Sequence, residues 1–153
     1  WDEVTSEEFD LQIKTNFKSS LFLIQEFYPF MQQRKWGRIL TIGSVQQARP
    51  HQQMIVYAAS KMAQVSMVKS LAPQFGIHGI TINNLAPGTI LTSRNEDVLR
   101  DLDYKKLVEM KIPVGYIGDP ADCASIALLL CSDAGKYITG QDIFVDGGMS
   151  LNF

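Results

Sequence analysis

The sequence predicts an α/β fold in which three parallel strands form one layer and helices flank it. Three observations carry that expectation. Stretches with apolar residues at helical spacing alternate with short apolar runs, in the order helix, strand, helix, strand, helix, strand. Such alternation sets successive strands parallel, with helical crossovers between them. The short runs are 38–44, 80–85 and 143–145, and the apolar residues of the first do not alternate cleanly with charges, as expected of a strand covered on both sides. The second and third runs are stopped by turn residues, Pro87-Gly88 and Asp146-Gly147-Gly148.

Each element has a local signal. Thr5-Ser6-Glu7-Glu8 is a capping-box pattern: a hydroxyl accepts from the orphan N–H groups of a helix start, and Glu8 returns the bond. Phe9, Ile13, Phe17, Leu21 and Ile24 then form an apolar stripe through about residue 28, where Pro29 is expected to kink or close the helix. Trp36-Gly37 breaks the pattern before the first strand. A loop carrying Arg49, Pro50 and His51 leads to a second helix over about 55–75, whose Ala58, Ala59 and Ala63 permit close packing. Pro73 lies in its last turn and Gly76 is the expected C-cap. Residues 88–103 read as a long polar loop, weakly helical at its end. Asp119-Pro120 opens a third helix through Cys123, Ile126, Leu128 and Leu130.

Composition narrows the function classes. The 153 residues suit one domain, and a hydrophobic content of 46% supplies a core. Fourteen basic against sixteen acidic residues give a net charge of −2, without the basic excess that nucleic acid or an anionic membrane surface requires. No apolar run approaches the roughly 18 residues of a bilayer span, and no signal-peptide pattern is present. Cys123 and Cys131 stand about two helical turns apart, roughly 12 Å along an axis, too far for a disulfide. A reducing, cytoplasmic setting is the expectation. With His51 and His78 as the two histidines and no Cys/His cluster, no metal site is expected.

The stretch that points to chemistry is Tyr57-Ala58-Ala59-Ser60-Lys61. Residues four apart on a helix project from one face. A phenol is a poor base near neutral pH, and an ammonium within about 4–6 Å favours the phenolate. Such a pair can exchange a proton with an alcohol or a ketone. Ser44, thirteen residues before Tyr57, ends the first strand, where open α/β sheets bind their ligands.

With these residues the sequence resembles the short-chain dehydrogenase/reductase family, in particular its 3-oxoacyl reductase-like or glucose dehydrogenase-like members. Tyr57 and Lys61 match the family's Tyr-x-x-x-Lys, with Ser44 at the usual distance upstream. Asn84-Leu85-Ala86-Pro87-Gly88 looks like its Asn-x-x-x-Pro-Gly, and Tyr137-Ile138-Thr139-Gly140-Gln141 with Val145-Asp146-Gly147-Gly148 is similar to its closing segment. Asn16 stands where the family places a helical asparagine. The resemblance implies an NAD- or NADP-dependent conversion of a small secondary alcohol and a ketone. Tyr57 would be the general acid/base, and Lys61 would lower its pKa and bind the nicotinamide ribose. Ser44 would polarise the carbonyl, and Asn16 would hold a water in a proton relay to Lys61. Pro87, Gly88, Ile90 and Thr92 would border the cofactor, Gly88 by letting backbone come close to it. Gln46, Gln47, Arg49, His51, Met54, Arg94 and Asn95 lie on loops expected to frame the substrate, their polarity suiting a hydroxylated or anionic molecule. Tyr116, where relatives carry arginine, and Pro73, inside an alanine-rich helix, depart from the pattern without touching this chemistry.

The family's glycine-rich cofactor turn does not occur in these residues: neither Gly-x-x-x-Gly-x-Gly nor Gly-x-Gly-x-x-Gly is present. The expectation is therefore one partial domain, residues 1–153, forming the C-terminal catalytic half of a Rossmann-type doubly wound sheet, with the dinucleotide-binding half outside it. The first strand would then show an open edge, and self-association into a homo-oligomer is expected. The alternative to a catalytic portion is a non-catalytic, self-associating fragment unable to hold a dinucleotide alone.

Overall fold

A computed structural model describes residues 1–151. The chain opens on α1 (Ser6–Ile13), passes through a single wide π-helical stretch (Lys14–Lys18) and continues without a break as α2 (Ser19–Arg34). Then follow β1 (Gly37–Ile42), α3 (Ile55–Gly76), β2 (Ile80–Pro87), the short α4 (Glu96–Leu99), α5 (Leu102–Glu109), α6 (Pro120–Leu130) and β3 (Asp142–Val145). The three strands form one parallel sheet in the order β1-β2-β3. Gly37 pairs with Ile80 through to Ile42 with Leu85, and Asn84 with Asp142 through to Pro87 with Val145. The α/β expectation holds.

Central β2 is buried from Ile80 through Ala86, which is why its sequence carries no solvent-facing register. Ile80 and Ile82 pack into a core with Ile24 of α2 and Met67, Val68, Ala72 and Phe75 of α3. Side chains alternate across a strand, so Arg38 and Thr81 take the other face. There Arg38 donates to the Ser132 carbonyl (3.1 Å) and pairs with Asp133 (3.0 Å) just beyond α6. β1 pairs with β2 alone among the described residues. Along its other side runs a groove of about 300 Å³ lined by Leu23, Ile24, Phe27, Met31 and β1 itself.

Several expectations need correction. Pro29 does not end the helix: α2 runs on to Arg34 and closes on Lys35, which adopts the left-handed conformation (φ 50°). Proline removes one N–H from the helical ladder. Its neighbours offset that loss, because Tyr28 stacks on Phe75 (centroids 4.7 Å apart) and Met31 packs against the core. Thr5 caps α1 by accepting from the Glu8 N–H (3.1 Å), but the Glu8 carboxylate accepts from Gln12 (3.2 Å) instead of turning back. Toward its end the 88–103 segment forms the short α4, and helix resumes beyond it as α5, which Asp101 caps by accepting from the N–H groups of Asp103 (3.0 Å) and Tyr104 (3.2 Å). β2 extends past residue 85 to Pro87, whose missing N–H falls at the strand end.

Asp119 caps α6 with Pro120 at its first position, and both cysteines are free thiols. No helix among the described residues is long and apolar enough to cross a membrane.

Candidate active site

The parallel sheet directs the carboxyl ends of β1 and β2 to one side, and a cleft of about 1180 Å³ opens there. Asn16, Ser44, Tyr57, Pro87, Gly88, Ile90 and Thr92 all line it.

Ser44 follows β1 in extended conformation (φ −163°, ψ 150°) and caps a three-residue 3₁₀ turn, Val45–Gln47. Its Oγ accepts from the Gln46 N–H at 3.2 Å. No acceptor among the described residues takes the Ser44 hydroxyl proton, so that proton is available to an oxygen in the cleft. Tyr57 lies in the first turn of α3, half-buried, and its hydroxyl makes no hydrogen bond among the described residues. One turn on, the Lys61 Nζ lies 5.6 Å from the centre of the Tyr57 ring and donates to the Ile42 carbonyl at 2.8 Å. The last residue of β1 thus pins the ammonium beside the phenol, at a distance where cation and ring attract.

Burial lowers the Lys61 pKa from the ordinary 10.5. Desolvation opposes the ammonium, so the unfolded chain holds this proton to higher pH than the folded one. Wild-type stability should rise with pH between the lowered value and 10.5. Any stability advantage of Lys61→Met over wild type should therefore shrink as the pH climbs through that window. Melting temperatures of the two proteins from neutral pH upward check the sign, and a difference that stays flat overturns it.

Asn16 sits in the π-helical stretch, a distortion frequent at functional sites. Its carbonyl accepts from Ser20 Oγ (3.0 Å), which in turn accepts from Gln64 Nε2 (2.8 Å). A Cβ at Gly88 would lie 2.7 Å from Asp146 Cα, so glycine here also permits the approach of β3's end. The turn carrying Ile90 and Thr92 is clasped by Asn95, whose Oδ1 accepts from the Thr92 N–H (2.9 Å) while its Nδ2 donates to the Ile90 carbonyl (2.9 Å). Gln46, Met54 and Arg94 reach the cleft.

Arg49 and His51 do not line the cleft. Arg49 donates to the Met149 carbonyl (2.9 Å), and the His51 ring accepts from the Gln53 N–H (3.2 Å) within its own turn. Gln47 is buried, away from any substrate loop role. No His, Cys, Asp and Glu grouping suited to a metal occurs among the described residues. Two contributions escaped the sequence reading. Leu11 and Gln12 of α1, Thr15 of the π-helical stretch and Tyr104 and Val108 of α5 wall the cleft, and a network of buried amides on the half-buried Asp142 carboxylate lies beneath Ser44.

A family model described as "Enoyl-(Acyl carrier protein) reductase" matches residues 2–150. The chain belongs to the short-chain dehydrogenase/reductase family. It is 38% identical over 150 residues to a chloroplastic tropinone reductase homolog of Arabidopsis thaliana, covering 98% of this chain and 47% of that protein. It is likewise 38% identical over 145 residues to a 3-oxoacyl-[acyl-carrier-protein] reductase of Rickettsia felis, covering 95% of this chain and 59% of that one. Among solved structures, the 3-oxoacyl (acyl-carrier-protein) reductase from Agrobacterium tumefaciens C58 with NADP bound superposes with a TM-score of 0.92 at 34% identity, over 95% of this chain and 57% of that one. The chain spans about half the length of the curated relatives it matches.

Proposed function

We propose that these residues are the catalytic portion of an NAD(P)-dependent oxidoreductase that interconverts a secondary alcohol and a ketone. The observation that carries this reading is the placement on one cleft of two hydroxyls, Tyr57 and Ser44, whose protons no acceptor among the described residues takes, with the Lys61 ammonium beside the phenol. The reductases among its relatives, one with NADP bound, support it. The residues present fit the nicotinamide end of such a cofactor: Pro87, Gly88, Ile90 and Thr92 lie along the cleft wall, and Lys61, held beside Tyr57, would take the ribose. The glycine-rich turn for the pyrophosphate is not among these 153 residues. When bound, the cofactor supplies or accepts the hydride.

The chain's own groups handle the proton and the developing charge. Ser44 donates its hydroxyl proton to the carbonyl oxygen, fixing its position and meeting the negative charge that grows there. Tyr57 gives its phenolic proton to that oxygen in reduction and takes one from the alcohol in oxidation. The Lys61 ammonium, 5.6 Å from the centre of the Tyr57 ring, faces the negative charge that the transfer leaves there. Asn16 holds a water that returns the proton to the Lys61 end of the cleft. Arg94 and Gln46 at the rim suit a hydroxylated or anionic small molecule.

The test is oxidation of NADH or NADPH by a panel of ketones, followed at 340 nm in the whole protein, together with fluorescence titration of either cofactor. Saturable binding with turnover supports the reading. Cofactor binding without turnover of any carbonyl overturns it. The open edge of β1 favours a second reading, a self-associating non-catalytic chain, which predicts no dinucleotide binding and a size that grows with concentration.

A further inference from the structure

Beneath Ser44 the three strands are tied together by polar side chains, in the part of the sheet where apolar packing would be ordinary. Gln47, Asn84 and Thr41 are all buried (5%, 0% and 7% exposed). Gln47 Nε2 donates to both oxygens of Asp142 (2.7 and 2.8 Å), and Asn84 Nδ2 donates to one of them (2.7 Å). Thr41 Oγ1 donates to Asn84 Oδ1 (2.6 Å). The Ser44 backbone N–H donates to Gln47 Oε1 (3.2 Å).

The polarity of this chain of bonds follows from its far end. An ionised carboxylate only accepts. Asp142 therefore requires the NH₂ of Gln47, and the Gln47 carbonyl oxygen is left facing the Ser44 N–H. The backbone of the turn closes where the Gln47 N–H donates to the Ser44 carbonyl (3.0 Å), and the Gln47 side chain completes a capping box by accepting from the Ser44 N–H, so the turn is anchored to β3 through Gln47 and Asp142. Gly43 makes room for the arrangement: a Cβ there would lie 2.4 Å from both Gln47 Oε1 and Asn84 Nδ2.

We infer that Gln47, oriented by Asp142 and Asn84, is a positioning residue that sets the turn presenting the Ser44 hydroxyl to the cleft. The inference rests on the carbonyl-polarising role proposed for Ser44, and it adds the device that aims it. Gln47 touches no substrate. It acts through the Ser44 peptide, and an error of about 1 Å in such a donor can cost on the order of 100-fold in rate.

The experiment compares wild type, Gln47→Met and the mirror pair Gln47→Glu with Asp142→Asn in the whole protein, reading kcat, KM and hydrogen exchange at the Ser44 amide. Methionine keeps the length of Gln47 and removes the amide. The mirror pair reverses the second link while still giving Ser44 an acceptor. Gln47→Met should lower kcat by about 10- to 100-fold with KM within about threefold, and should speed exchange at the Ser44 amide about tenfold or more. The mirror pair should return kcat to within about threefold of wild type and restore the protection. Wild-type kcat in Gln47→Met overturns the inference, as does lost turnover with the Ser44 amide still protected. A folded mirror pair that recovers nothing overturns it too. A wild-type protein that reduces no carbonyl sinks the redox reading instead, and the Ser44 amide then decides the positioning on its own.

Discussion

Replacing Tyr57 by phenylalanine should lower kcat of the whole protein by about 10²- to 10⁴-fold, the range a positioned proton donor contributes. The affinity for NADH or NADPH should stay close to that of wild type. The substitution deletes one oxygen and leaves the ring in the first turn of α3, half-buried against the cleft. Lys61 keeps both its neighbours, since its ammonium still lies over an aromatic ring and still donates to the Ile42 carbonyl. The cofactor wall formed by Pro87, Gly88, Ile90 and Thr92 is untouched. A loss confined to kcat identifies an interaction made in the transition state alone, whereas a loss through KM would mark a binding residue. Retained turnover in Tyr57→Phe removes Tyr57 from the chemistry, and a proton donor elsewhere in the cleft would have to be sought.

The elements that could be read from the sequence were those with a strong local signal. Strands 1 and 2 are short runs bounded by turn residues, and β2 carries no charged residue because both its faces are covered. The Asp119-Pro120 start of α6 is a cap followed by a proline at N1, and the structure forms it as such. Tyr57 and Lys61 are neighbours through helical geometry alone, so their spacing was enough to place them side by side. What could not be read depends on distant partners. α2 survives Pro29 because Phe75, forty-six residues on, stacks against Tyr28. The wide helical stretch at Lys14–Lys18 has no glycine or proline to announce it. Arg49 and His51 look like substrate contacts in a polar loop, but Arg49 reaches the Met149 carbonyl a hundred residues on and His51 is taken up by its own turn.

Asn84 presents the reverse case, a residue whose importance to stability shows only once the strands are assembled. Asn84→Ala should destabilise the fold by about 3 kcal/mol, because it strips the half-buried Asp142 carboxylate of one N–H donor and leaves the buried Thr41 hydroxyl with only its longer bond to the Asn83 carbonyl (3.3 Å). For a domain of this size that corresponds to a melting temperature lower by roughly 6–12 °C. The comparison that isolates the cause lies three residues earlier on the same strand. Thr81 is also buried (6% exposed), and its Oγ1 has no hydrogen-bond partner. A buried hydroxyl with no partner carries a desolvation cost that nothing offsets, so Thr81→Val, which keeps the branched shape, should leave the melting temperature unchanged or raise it. Burial and β2 membership are common to the two positions, which differ in hydrogen bonding, in the volume the substitution removes and in the sheet face they occupy. Equal losses at both would show that packing governs this strand and that the bonds among Thr41, Asn84 and Asp142 contribute nothing net. A large loss at Asn84 beside none at Thr81 would assign the stability of the strand ends, and with it the rigidity under Ser44, to that network.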